Sequence, residues 1–168
     1  MPGYLDEFIE GRIYVEANIL LFTALADAEY GPSALEFLER SSEDGIELLT
    51  STLTIDEVSF VALKAKLEEK YGVTKNQVLY LKRNPEVVKA LASDVNQIVE
   101  NVLGLATLTE VSAPDVQQMR LYMEEFGLLP RDAIHLAVVH RLGLTCMASS
   151  DSDFDRVPWL TRYAPRWT

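Results

Sequence analysis

The sequence predicts an α/β fold: a three-layer α/β/α sandwich around a mostly parallel sheet of four to five strands, in one domain spanning residues 1–168. Three observations carry that prediction. Short β-branched or aromatic runs alternate with longer helical stretches, the pattern of strands joined by crossover helices. The run Leu144–Ala148 is apolar and ends abruptly in Ser149, Ser150, Asp151, Ser152 and Asp153. A buried strand that ends in a small acidic loop sits where open α/β sheets bind ligands. Finally, 168 residues with 48% hydrophobic content suffice to bury roughly two thirds of the unfolded surface around one core.

The elements follow in order. Arg12–Val15 is β-branched and aromatic, a short buried strand. Glu16-Ala17-Asn18 interrupts it, and an apolar run from Ile19 continues at helical spacing, with Asn18 near the helix N-cap. Tyr30–Ser33 is a break, and Pro32 or Ser33 opens a second helix to about Arg40. Residues 41–45 form a loop and Ile46–Thr50 a second strand. Ser51–Lys70 is a long amphipathic helix stopped near Tyr71-Gly72. Thr74–Lys82 and Pro85–Asn101 read as two more helices. Gly104–Leu108 is a weak third strand, and Ala113–Phe126 a helix with Pro114 in its first turn. A helix opened by Pro130 follows, then a hinge at Gly143, the strand at Leu144–Ala148, and a short last strand at Leu160–Tyr163.

The net charge of −11 argues against a surface that binds nucleic acid nonspecifically, since such binding rests on many Lys and Arg contacts to phosphates. It leaves open a metal-dependent enzyme, in which cations neutralise a carboxylate cluster. No run of about 18 apolar residues would span a membrane. The acidic start MPGYLDEFIEGR lacks the apolar core of a secretory signal. The one cysteine, Cys146, forbids an internal disulfide, so a cytoplasmic location is the default.

Each candidate carboxylate has an ordinary explanation beside the functional one. Glu16 follows the first strand between two apolar runs, where a carboxylate is costly unless hydrogen-bonded or bound to a cation; it also suits a helix N-terminus. Glu57 fits a capping box begun by Thr54, yet shares a helix face with Leu53, Phe60 and Val61; Asp56 reads as solvated. Asp132 favours the dipole of its helix, but that helix is apolar nearly all round. Asp151, Asp153 and Asp155 do not form a calcium loop, which needs Gly sixth and Glu twelfth, where Arg156 and Arg162 stand. Turn formation and metal ligation remain; Asp151 is nearest the strand end, and Asp155 reads as solvated. Ser149 and Ser150 suit either a turn or a contact to phosphate or carboxylate. His135 reads as a packed helix histidine and His140 as exposed.

Jointly the pattern is stronger. Glu16, Glu57, Asp132 and Asp151 all fall near ends of strands or helices that a doubly wound sheet brings to one edge. Like charges that close oppose folding, and a hard dication with oxygen ligands, Mg²⁺ or Mn²⁺, removes the conflict.

At this point the sequence resembles the PIN-domain ribonucleases, the fold of the VapC-type toxins of toxin–antitoxin pairs. The resemblance rests on YVEANILLF, TSTLTIDEVSF, LLPRDAIHLAVVHRLG and ASSDSDF, in that order, and covers nearly the whole chain. The family's first acid, usually Asp in a D-x-N motif, matches Glu16, with Asn18 as its companion. Its second acid matches Glu57, its third Asp132 and its fourth Asp151, and Asp153 matches an auxiliary acid. Glu16 is one methylene longer than the family's Asp. The resemblance implies Mg²⁺- or Mn²⁺-dependent hydrolysis of RNA phosphodiester bonds, a small antitoxin as partner, and a homodimer. Arg131, which adjoins Asp132, is the best candidate among the basic residues to guide RNA; Lys64, Lys66, Lys82, Arg83 and Lys89 read mostly as solvated charges.

Two other functions compete. One is a noncatalytic member of the same fold acting as an RNA- or protein-binding module, motivated by Glu16 and the acidic surface. The other is a phosphoacceptor signalling domain, which would want an Asp acceptor and a downstream Lys at the sheet edge; residues 144–153 contain no Lys.

Overall fold

The computed structural model describes residues 2–42 and 45–167. Part of the loop expected over residues 41–45 lies outside them. The strands are Gly3–Tyr4 (β1), Gly11–Val15 (β2), Ile46–Ser51 (β3), Thr107–Thr109 (β4), Cys146–Ala148 (β5) and Thr161–Ala164 (β6). They form one sheet of six strands in the order β1-β6-β5-β2-β3-β4, and every pairing is parallel. The expected four to five strands become six because β1, two residues long and without a burial pattern, pairs with β6 at the far edge.

The helices are Ala17–Ala24 (α1), Gly31–Ser41 (α2), Thr52–Tyr71 (α3), Gln77–Arg83 (α4), Pro85–Leu105 (α5), Ala113–Phe126 (α6) and Pro130–Arg141 (α7). Alternation along β2 sorts the two layers. Ile13 and Val15 face a cluster with Ile19, Phe37, Leu38 and Val58, from α1, α2 and α3. Tyr14 points the other way, into Tyr122, Leu136, Val139 and Met147, from α6, α7 and β5. Each such fully buried aliphatic stabilises the fold by roughly 1.5–3 kcal/mol. A third cluster, Leu67, Leu81, Val87 and Leu91, joins the far parts of α3, α4 and α5.

Several local expectations shift. The long helix takes Ser51 as its N-cap, and Ser51 Oγ accepts from the Thr54 N–H at 3.5 Å. Glu57 therefore belongs to the second turn, and the expected capping box at Thr54 does not form. Gly72, at φ 67°, ends that helix in the left-handed conformation that glycine adopts without steric cost. Asn18 lies inside α1, whose N-cap is Glu16. Gly104 and Leu105 continue α5, so the weak strand begins only at Thr107. Ser112 and Asp115 form a capping box at α6, and Arg141 of α7 reaches across to the same Asp115 at 2.9 Å.

This topology positions the candidate site. β2 and β5 are neighbours in the sheet; from the carboxyl end of β2 the chain continues to β3 on one side, and from that of β5 to β6 on the other. That reversal is a topological switch point, where ligands bind in open α/β sheets.

Candidate active site

Glu16 follows the last residue of β2, and its N–H extends the ladder to the Ala148 carbonyl of β5 at 3.1 Å. The side chain is buried, 8% exposed. Asn18 Nδ2 donates to Glu16 Oε2 at 2.5 Å, and the Ser149 hydroxyl donates to the same oxygen. Asn18 Oδ1 in turn accepts the Ser150 N–H at 3.1 Å. Asn18 and Ser149 therefore tie the end of β2 to the end of β5, and Ser150 joins through its backbone.

Burial holds the Glu16 carboxyl above the usual range. The charge of His135 and the hydrogen bonds from Ser149 and Asn18 oppose that shift, and the nearby Asp151 carboxylate adds to it. Asp132, in the first turn of α7, is also raised, first by burial and then by Asp151, with smaller contributions from Asp153 and Glu57. These mutual influences locate Glu16, Glu57, Asp132, Asp151 and Asp153 in one neighbourhood, although they come from four separate parts of the chain.

Glu57 projects from α3 toward α7. Its Oε2 lies 2.9 Å from His135 Nε2, and Arg131 Nη1 donates to its Oε1 at 3.4 Å. His135 is completely buried, and its Nδ1 lies 2.7 Å from the Tyr14 hydroxyl. Tyr14 also donates to Ser51 Oγ at 2.7 Å. Nothing in the sequence marks Tyr14 or Ser51 as part of a site, and His135 reads there as a packed helix histidine.

Asp151 caps the short 3₁₀ turn Ser152–Arg156, accepting the Asp153 N–H at 2.8 Å; Asp153 accepts from Arg156 at 2.7 Å. Asp155 is exposed, as expected, and it also has a partner: buried Arg162 grips both its oxygens at 2.7 and 2.8 Å while donating to the Ser149 carbonyl at 3.1 Å. His140 is exposed as expected, and Nδ1 shares a hydrogen bond with the Tyr122 hydroxyl.

Among the described residues, no three His, Cys, Asp or Glu side chains stand in an arrangement that could hold a metal ion. The reason lies in the bonds just described: Glu16, Glu57, Asp151 and Asp153 each turn onto protein donors. Asp132 alone of the five accepts no hydrogen bond from a described residue. The donor set nevertheless suits a hard dication. It is all oxygen, and two of its carboxyls are raised by burial and crowding, a strain that a cation relieves. A cavity of about 560 Å³ elsewhere, among Leu20, Leu38, Ile98 and Val102, includes none of these acids. No described helix is long and apolar enough to cross a membrane.

Comparison with known proteins agrees with this architecture. The family described as PIN domain matches residues 13–160. Ribonuclease VapC2 of Methanocaldococcus jannaschii is 26% identical over 152 residues, covering 90% of this chain and 92% of that protein. Among solved structures, VapBC2 from Rickettsia felis bound to a DNA fragment from the promoter superposes with a TM-score of 0.61 at 13% identity, over 94% of this chain and 100% of that one. Mycobacterium tuberculosis VapC20, described as a sarcin–ricin loop cleaving toxin, gives a TM-score of 0.60 at 14% identity, over 87% and 95%. At such identities these structures speak for the fold.

Proposed function

This chain belongs to the PIN domain family, and from that premise we propose that it is a divalent-metal-dependent endoribonuclease, the toxin of a toxin–antitoxin pair. The observation that carries the reading is the raised carboxyls of Glu16 and Asp132 at the switch point, each influenced by Asp151. Four acids gathered without enough cationic partners disfavour the metal-free protein, and in return they bind a cation.

In this reading Glu16, Glu57, Asp132 and Asp151 hold Mg²⁺ or Mn²⁺, with Asp153 as an auxiliary ligand. Such an ion, when bound, would supply water activation and neutralise charge on the phosphate. The chain's own residues do the rest. Asn18 and Ser149 hold Glu16. Asp132, half-buried and with no hydrogen bond donated to it by a described residue, is the carboxylate that would orient, or accept a proton from, the attacking water. Arg131, 60% exposed, contacts the RNA phosphates, and the Ser150 hydroxyl is a second candidate contact. The names of VapC2 and of the VapBC complex support RNA as substrate and a small antitoxin as partner; homodimerisation and a cytoplasmic site of action belong to the same proposal.

The test is incubation of RNA with the purified protein and Mn²⁺. Cleavage should appear, vanish with a chelator, and fall about 100-fold or more in Glu57→Gln and Asp132→Asn. A second reading, a binding module without catalysis, is favoured by one observation: Glu16 is longer than the family's Asp, and its Oε2 is tied to Asn18 and Ser149. RNA left intact by the wild-type protein but retained on it would establish that reading instead.

A further inference from the structure

The Tyr14–His135–Glu57 chain is not required by packing. His135 is completely buried beside the Tyr14 ring, and an imidazole buried there is costly unless both nitrogens are bonded. Both are: Nδ1 to the Tyr14 hydroxyl at 2.7 Å and Nε2 to Glu57 Oε2 at 2.9 Å. Tyr14 is equally buried. Its hydroxyl also bonds Ser51 Oγ at 2.7 Å and lies 3.2 Å from Thr54 Oγ1, so the phenol is fixed on its far side. His135 thus stands hydrogen-bonded between a phenol and a carboxylate, one ring nitrogen to each.

The geometry points to His135 as a positioning residue for the metal site. It fixes Oε2 of Glu57 so that the remaining lone pairs face the cation, and Tyr14 fixes the imidazole in turn. His135 does not itself ligate, since both nitrogens are engaged and the ring is completely buried. Partners that orient a ligand from behind commonly change metal affinity 10–100-fold when removed. This inference rests on the metal-binding reading above.

The test uses the full chain and Mn²⁺ alone, titrated calorimetrically. His135→Leu keeps the volume and loses the donor; Mn²⁺ affinity should fall about 10–100-fold. His135→Gln retains an N–H near the Nε2 position and should recover most of that loss. Tyr14→Phe keeps the ring and removes the hydroxyl, and should weaken binding about threefold to tenfold, a milder form of the same loss. If His135→Leu folds and binds Mn²⁺ like wild type, or if His135→Gln binds as weakly as His135→Leu, the positioning role is overturned. Should His135→Leu fail to fold, Tyr14→Phe decides: unchanged affinity overturns the role, and weakened affinity alongside a near-normal His135→Gln supports it. Absence of Mn²⁺ binding by the wild type would remove the metal-site reading itself, a different outcome from wild-type binding that ignores His135.

Discussion

Arg162 clasps Asp155 with two hydrogen bonds, 2.7 Å from Nε and 2.8 Å from Nη2, while its Nη1 donates to the Ser149 carbonyl. The guanidinium lies on β6, only 7% exposed, and so connects the 3₁₀ turn after β5 to the residue that donates to Glu16. The loop bearing Asp151 and Asp153 is held from below by a buried cation with one anionic partner.

Removing that partner leaves a buried charge poorly compensated. Asp155→Ala should destabilise the protein by about 1–3 kcal/mol, the cost of an unsatisfied buried group, moderated by the partial exposure of Asp155. Urea denaturation measures it. A change within about 0.5 kcal/mol would show that Arg162 finds water or another acceptor at no cost.

Asp132→Asn should have the opposite sign in the metal-free protein. The carboxyl of Asp132 is raised in the folded state, chiefly by burial and then by Asp151. The native state therefore binds more protons than the unfolded chain between the ordinary carboxylate value and the raised one. Stability falls as pH climbs through that window and stays lower above it. Asn removes the penalty. At neutral pH the variant should melt higher than wild type, and the gain should disappear below the ordinary carboxylate range. Calorimetry at neutral and acid pH checks both.

Asp115 behaves conversely. Burial would raise its carboxyl, but Arg141 and the Ser112 N–H and hydroxyl outweigh burial and hold it below the usual range. A depressed acid contributes stability above its unfolded value and loses it as pH falls through the folded value. Asp115→Ala removes the α6 cap and the tie to α7; it should cost about 2–4 kcal/mol at neutral pH. The difference from wild type should shrink in acid. A cost that does not change with pH would mean that packing, not charge, is lost.

Much of this was legible in the sequence. β2, β3 and β5 are short apolar runs, and the acids at their ends could be named because strand ends share an edge. What escaped lacked local signal. β1 lies at the sheet edge and is two residues long, so no burial pattern marks it, and the exposed residues of β4 at the other edge leave its start blurred into α5. The Thr54 capping box was a plausible spacing, but the helix begins as soon as β3 ends, at Ser51. The partner of Asp155 is hidden in the sequence because Arg162 is brought back only by the pairing of β5 with β6. Tyr14 and His135 are 121 positions apart, and nothing in either neighbourhood announces the other.

Arg131 offers a test of the RNA path. It is mostly exposed and touches Glu57 only at 3.4 Å, so Arg131→Ala should leave stability nearly unchanged. It should weaken single-stranded RNA binding uniformly across sequences and reduce the salt dependence by about one phosphate contact. Fluorescence anisotropy at several salt concentrations measures this, and an unchanged salt slope would take Arg131 off the path.

The central claim is that Glu16, Glu57, Asp132 and Asp151 share one divalent ion. Mn²⁺ titration followed by thermal melting tests it most directly. At about 100 times the dissociation constant the wild-type melting temperature should rise by roughly 5–10 °C, and the Glu57→Gln/Asp132→Asn double variant should show no rise. A flat wild-type titration, or the same rise in the double variant, would contradict the claim.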